Sequence, residues 1–171
     1  TFRTSDLVGL DTLVKVANGV GQNCPKDEMK EWFAIPEFLN KMLENNWLGD
    51  KTGQGFYKKS KDANGKTVIQ ALDLNTFEYI DQNKPRFDSI GKARGANRLK
   101  SKLGILYGGG DKAADFYKDV TTAILAYSAN RIPEIADDLY QIDDALKAGF
   151  GWEVGPFETW DILGFDKVVE N

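Results

Sequence analysis

Apolar residues recur at helical spacing along much of the chain and alternate in only one stretch. In residues 6–20 a turn leads into a short helix on which Leu13, Val16, Ala17 and Val20 share a face. Asp11 lies in its first turn, where a carboxylate suits the positive helix end. Gly19 and Gly21 are expected to break it. Pro36 opens a second helix over 36–46, with Phe38, Leu39 and Met42 facing inward. Residues 47–57 are too rich in glycine for a helix. The next stretch, 56–74, predicts a β-hairpin turning at Asn64–Gly65. A loop around Pro85 follows, and then a basic, mostly helical run over 89–107 that ends at Gly108–Gly110. The longest helix is predicted from 111 to 131, with Phe116, Val120, Ala123, Ile124 and Tyr127 as its apolar stripe. Pro133 stops it. A short helix over 142–148 has Gly149 as its expected cap. Pro156 opens another, with Glu158 in the first turn. The expectation is a mainly α fold with one small β-hairpin.

The two ends of the chain resemble each other. Phe2, Thr4, Asp6, Gly9 and Asp11 recur as Phe157, Thr159, Asp161, Gly164 and Asp166, each pair 155 residues apart. Val8 and Leu163 are both apolar, as are Leu10 and Phe165. Five identities over ten ungapped positions point to a duplication. The chain is expected to hold the back half of one copy and the front half of the next.

Composition narrows the chemistry. With 171 residues, 42% hydrophobic, there is material for one ordinary domain or two small ones. A net charge of −4 argues against a general nucleic-acid binder. There is no histidine, so a Ser–His–Asp triad, an imidazole base and an imidazole metal ligand are all excluded. Cys24 is the only cysteine, which rules out an internal disulfide and suits a reducing, cytoplasmic setting. No apolar run reaches the ~20 residues that span a bilayer.

Several motifs have a functional and a structural reading. Residues 19–24 begin like a dinucleotide loop, but they follow a helix and lack the third glycine, so a helix end is favoured. Gly108–Gly110 precede a helix whose start could hold a phosphate, yet no Lys–Ser/Thr pair follows, and a flexible connection is favoured. Lys51 within the 51–57 segment could face an anionic ligand, while the glycines there suit a packing turn. Gly155, Pro156 and Phe157 could wall an apolar pocket or simply start a helix. Lys92, Arg94, Arg98, Lys100 and Lys102 read as a solvated helix face before a phosphate site.

Two segments carry a family resemblance. Ile142, Asp143, Ala145, Gly149, Gly151, Gly155, Pro156, Phe157, Glu158, Asp161, Gly164 and Asp166 stand at the spacing of I-D-x-A-x-x-x-G-x-G-x-x-x-G-P-F-E-x-x-D-x-x-G-x-D. Gly49, Lys51, Thr52, Gly53, Gly55, Phe56 and Tyr57 match G-x-K-T-G-x-G-F-Y. Both resemble the C-terminal domain of 3-hydroxyacyl-CoA dehydrogenases. Thr1 and Arg3 depart from the family's proline and glutamate, so the first copy is the weaker match. The family's substrate-side Asn–Arg pair falls near Lys118 by spacing, and its role is not carried over to Asn130–Arg131.

The resemblance implies a fragment of an enzyme that oxidises (3S)-3-hydroxyacyl-CoA to 3-ketoacyl-CoA with NAD in fatty-acid β-oxidation. NAD and the catalytic His–Glu pair would belong to a Rossmann domain, and no catalytic, cofactor or metal residue is assigned to this chain. The substrate-side candidates are Gly155, Pro156, Phe157 and Lys51. The implied partners are the acyl-CoA, the Rossmann domain and a possible enoyl-CoA hydratase domain, with no nucleic acid and no membrane. The resemblance also implies domain contacts that replace a homodimer, and weak self-association of the fragment. The expected division is 1–80, a basic connection over 81–110, and 111–171. The alternative is a non-catalytic helical interaction module.

Overall fold

A computed structural model describes residues 2–169, the side chain of Lys167 excepted. The chain folds as two compact units, one up to Lys84 and one from Pro85 onward.

The first unit begins with α1 (Phe2–Val8), where the sequence predicted a turn, and α2 (Leu10–Asn23), separated by Gly9. Gly9 has φ of 103°, a conformation open to glycine at little cost. The expected break at Gly19 and Gly21 does not occur, and α2 runs on to Asn23. Each glycine costs a helix up to ~1 kcal/mol. At Gly21 the helix packs on the 3-10 turn Lys30–Phe33, where an added Cβ would lie 3.8 Å from that of Phe33, an ordinary contact. Packing of the helix there overrides its local propensity.

Pro36 caps α3 (Glu37–Glu44), which buries Leu39 and Met42 as expected. A short 3-10 turn, Asp50–Thr52, leads into β1 (Tyr57–Lys61) and β2 (Thr67–Leu72). These pair antiparallel from Tyr57 opposite Ala71 to Lys61 opposite Thr67. The Asp62 carboxylate closes the turn by accepting from the Asn64 and Lys66 amides, both at 2.9 Å. A third strand, β3 (Tyr79–Asp81), extends the hairpin to the order β1–β2–β3. Leu10, Val14, Leu39, Met42, Phe56 and Leu72 form the core. Trp47 closes it, stacking on Phe77 at 6.0 Å and lying tilted on Tyr79 at 5.5 Å.

The second unit is helical: α4 (Asp88–Gly95), α5 (Leu99–Tyr107), α6 (Lys112–Asn130), α7 (Leu139–Phe150), α8 (Pro156–Leu163) and α9 (Phe165–Val169). Asp111 caps α6 through the Ala114 amide at 3.0 Å. The same carboxylate takes the Ser89 amide at 2.8 Å and its hydroxyl at 2.7 Å, which ties α4 to α6. Tyr107, Leu125, Leu163 and Val168 make the core.

Two expectations are corrected in this unit. The face of α6 that packs carries Ala114, Leu125 and Ser128, while Phe116 is 69% exposed and Val120 and Ile124 are also exposed. The cap of α7 is Gly151, in the left-handed region, and Gly149 lies within the helix.

Candidate functional site

Each unit contains a buried aspartate whose carboxylate holds two successive peptide N–H groups. In the first unit it is Asp6, on α1 and 3% exposed. Its two oxygens accept from the Phe56 amide at 2.9 Å and the Tyr57 amide at 2.8 Å. A buried carboxylate needs such donors, because desolvation penalises the charge. Burial still wins and holds the pKa of Asp6 above its ordinary value. The two amides oppose this, the Asp50 carboxylate adds to it and the Arg3 guanidinium subtracts.

The segment between Leu48 and Tyr57 is shaped around this group. A Cβ on Gly49 would overlap the Asp6 backbone, and one on Gly55 would overlap its carboxylate. The Thr52 hydroxyl accepts from the Leu48 amide at 2.9 Å, and the Leu10 amide donates to the Leu48 carbonyl at 3.0 Å. Lys51 is ion-paired with Asp11. The Tyr79 hydroxyl donates to the Gly55 carbonyl at 2.6 Å, and burial, with Asp6 nearby, pushes that phenol up to about 12.

In the second unit the aspartate is Asp143, on α7 and 5% exposed. It accepts from the Phe157 amide at 2.8 Å and the Glu158 amide at 3.0 Å, at the start of α8. Pro156 has no N–H, so the carboxylate takes the next two. Gly155 lies against it, and an added Cβ would overlap Asp143. Glu158 turns back to the Gly155 amide at 2.8 Å and binds Lys147 at 2.9 Å. The Lys147 ammonium, followed by that amide, holds the Glu158 carboxyl below its ordinary value.

Gly155, Pro156 and Phe157 therefore adjoin one another at a braced helix start. Pro156 also lines an apolar hollow of about 380 Å³ with Leu103, Phe116, Tyr117, Val120 and Trp152. Lys51 belongs to the first unit and is engaged by Asp11. Sequence reasoning marked Asp6 and Asp143 only as motif members. Their shared signature, a later glycine followed within three residues by aromatic and amide-bearing positions, was legible but unused. Trp152 and Leu103 carried no signal.

The remaining motifs are structural. Gly19 and Gly21 sit inside α2, and among the described residues it is the helix α1 that precedes it, so they do not stand at a strand-to-helix dinucleotide loop. Gly109 packs against α6, where a Cβ would lie 2.6 Å from that of Ala114. The start of α6 is already occupied by the Asp111 carboxylate, which would repel a phosphate. Lys92, Arg94, Arg98 and Lys100 are exposed on α4, α5 and the turn between them. Among the described residues no group of three or more carboxylate or cysteine side chains could hold a metal, and no helix is long and apolar enough to cross a membrane.

The two similar ends of the chain also share a backbone corner. Gly164 separates α8 from α9 as Gly9 separates α1 from α2, with φ and ψ of 93° and 122° against 103° and 128°. The Gly9 amide donates to the Ser5 carbonyl and the Gly164 amide to the Trp160 carbonyl, both at 2.9 Å.

Known proteins bear on both halves. Residues 1–59 match the family model described as 3-hydroxyacyl-CoA dehydrogenase, C-terminal domain. Over all 171 residues the chain is 45% identical to a probable 3-hydroxyacyl-CoA dehydrogenase of Bacillus subtilis (strain 168), of which it covers 21%. The chain is thus similar to 3-hydroxyacyl-CoA dehydrogenases along its whole length, and residues 1–59 match the C-terminal domain of that family. A putative fatty acid oxidation complex trifunctional enzyme of Rickettsia prowazekii is 25% identical across 99% of the chain, which covers 22% of it. A fatty acid oxidation complex subunit alpha of Psychrobacter is 44% identical over 90 residues, 48% of this chain and 12% of that one. The chain thus spans about a fifth of the length of the relatives it matches end to end. No solved structure gives a significant match. The segment around Asp6 lies within the stretch that matches the C-terminal-domain model, and the mainly α fold with a small antiparallel sheet agrees with the architecture expected from the sequence.

Proposed function

We propose that the chain is the C-terminal helical part of an NAD-dependent (3S)-3-hydroxyacyl-CoA dehydrogenase of fatty-acid β-oxidation. It supplies part of the substrate-side wall and the contacts between domain copies. The observation that carries this reading is the 45% identity over the whole chain to the Bacillus subtilis protein. The first unit is read as the back half of one copy and the second as containing the front half of the next, which the repeated helix–glycine–helix corner supports.

The wall is assigned to Gly155, Pro156 and Phe157. The hollow beside Pro156 is lined mostly by aliphatic and aromatic side chains, together with Thr121, Thr159 and Glu153, and its apolar surface suits a methylene chain. Phe157 is half-buried and stacks on Trp160 at 6.4 Å. Lys51 has a weaker part in this reading, because a CoA phosphate would compete with Asp11 for its ammonium.

Hydride transfer and proton removal are assigned to a Rossmann domain of the same polypeptide. This chain has no histidine, and its glycine pairs do not fit a dinucleotide, so no step through NAD is placed on it. A hydratase domain in the same polypeptide and a cytoplasmic setting complete the proposal. The exposed residues of α6 are assigned to weak self-association of the chain.

The test is NADH oxidation with acetoacetyl-CoA. The 171-residue chain is expected to be inactive and the complete polypeptide active. Thr159→Phe, which narrows the hollow, is expected to raise KM for a long acyl chain and leave acetoacetyl-CoA unaffected. Activity of the repurified chain, or an inactive complete polypeptide, overturns the assignment.

A further inference from the structure

The helix–glycine–helix corner occurs twice, and its first occurrence is covered by a single segment. There Asp6 holds the Phe56 and Tyr57 amides, the Leu10 amide reaches the Leu48 carbonyl, and Asp11 pairs with Lys51. Leu10 is wholly buried beneath it. All four partners lie between Leu48 and Tyr57.

At the second occurrence Asp161, Phe165 and Asp166 stand at the positions of Asp6, Leu10 and Asp11, on a glycine of nearly the same φ and ψ. Asp161 and Asp166 are exposed and have no hydrogen-bond or ion partner among the described residues. Phe165 is 62% exposed, touching Trp160 on one side at 5.3 Å. Isolated exposed carboxylates are ordinary on a surface. Three positions that repeat, in register, a fully engaged site are not explained by that.

We propose that the Asp161–Phe165–Asp166 corner is the docking site for a second loop of the 48–57 kind, carried by the same polypeptide about 155 residues after the first. Asp161 takes two successive peptide N–H groups, Asp166 takes a cation, and an apolar side chain covers Phe165. The loop has glycines at the positions of Gly49 and Gly55, because a side chain there would overlap the aspartate and the helix beneath it, as it would at Asp6. At the first corner, loop and helix belong to one chain, Gly49 following Asp11 by 38 residues. The relatives are about five times as long as this chain, which leaves room for the second loop in the same polypeptide. The corner's occupant is set by this geometry whatever reaction the polypeptide catalyses.

The experiment places Asp161→Asn in the 171-residue chain and in the complete polypeptide, with Asp6→Asn as the control in both. Asn keeps the shape but presents an N–H to one of the two incoming amides. In the chain, Asp161→Asn is expected to shift Tm by less than about 1 °C, whereas Asp6→Asn lowers it by roughly 4–8 °C. In the complete polypeptide both substitutions lower the melting of this region by similar amounts, independent of protein concentration. Phe165→Ser follows the same pattern. Unchanged melting of the complete polypeptide overturns the proposal. A loss that depends on protein concentration also overturns it, because the occupant then belongs to another molecule. Neither arm reads activity, so its failure is separate from failure of the dehydrogenase reading.

Discussion

Asp143→Asn perturbs the brace of the second unit with the least change of shape. The carboxylate accepts two amides, from Phe157 at 2.8 Å and Glu158 at 3.0 Å, and is 5% exposed. In the amide, one oxygen still accepts, but the nitrogen faces the other peptide N–H, donor against donor. An unsatisfied buried donor costs about 1–3 kcal/mol. Loss of the negative charge at the start of α8 adds about 0.3–1 kcal/mol. Asparagine carries no charge to desolvate, which offsets part of this. The expected net loss is about 2 kcal/mol, or roughly 4–8 °C in Tm for a protein of this size. Two compact units do not guarantee a single transition, so the local readout is amide exchange at Phe157 and Glu158 alongside the thermal melt. One of the two amides is expected to exchange faster while those of β1 and β2 keep their protection. An unchanged melt with both amides still protected would refute the argument, since the brace would then contribute nothing net.

Other perturbations follow from the same geometry. Phe157→Ala would cost about 3–5 kcal/mol for a fully buried ring, but this ring is half-buried, so urea unfolding is expected to show a loss of about 1–2 kcal/mol. The Ser89 amide and then its hydroxyl hold the Asp111 carboxyl below its ordinary value. Its contribution is therefore present above the ordinary carboxylate range and lost as pH falls through the lowered value. Helical circular dichroism should show an acid limb that Asp111→Asn removes. Burial raises Asp6, so its sign is opposite: its contribution is largest below the ordinary range and declines as pH rises through the raised value. The stability gap between the parent and Asp6→Asn should narrow over that rise, and a gap that widens would contradict the assigned cause. Light scattering over a concentration series should show weak self-association, and Phe116→Ser should reduce it.

The sequence by itself determined the features written in neighbouring residues. Pro36 and Pro156 opened their helices, Asp111 capped the longest one, and Asn64–Gly65 turned the hairpin. Each is a local conformational preference that needs no distant partner. The 155-residue repeat and the two glycine-rich motifs were equally legible, and the resemblance to the domain model that matches residues 1–59 followed from them. Tertiary structure decided the rest. Gly19 and Gly21 remain helical in a helix that packs onto the turn ending at Phe33. Periodicity showed α6 to be amphipathic, yet its buried face was set by α4, α5 and α8, and it differs from the most apolar stripe. Gly151 caps α7 because the chain turns there to bring Gly155 against Asp143. Above all, the partners of Asp6 lie 50 and 51 residues away. A carboxylate that is solvated at one occurrence of the motif and buried at the other stands at the same motif position in both. Which state it takes depends on the segment that folds over it.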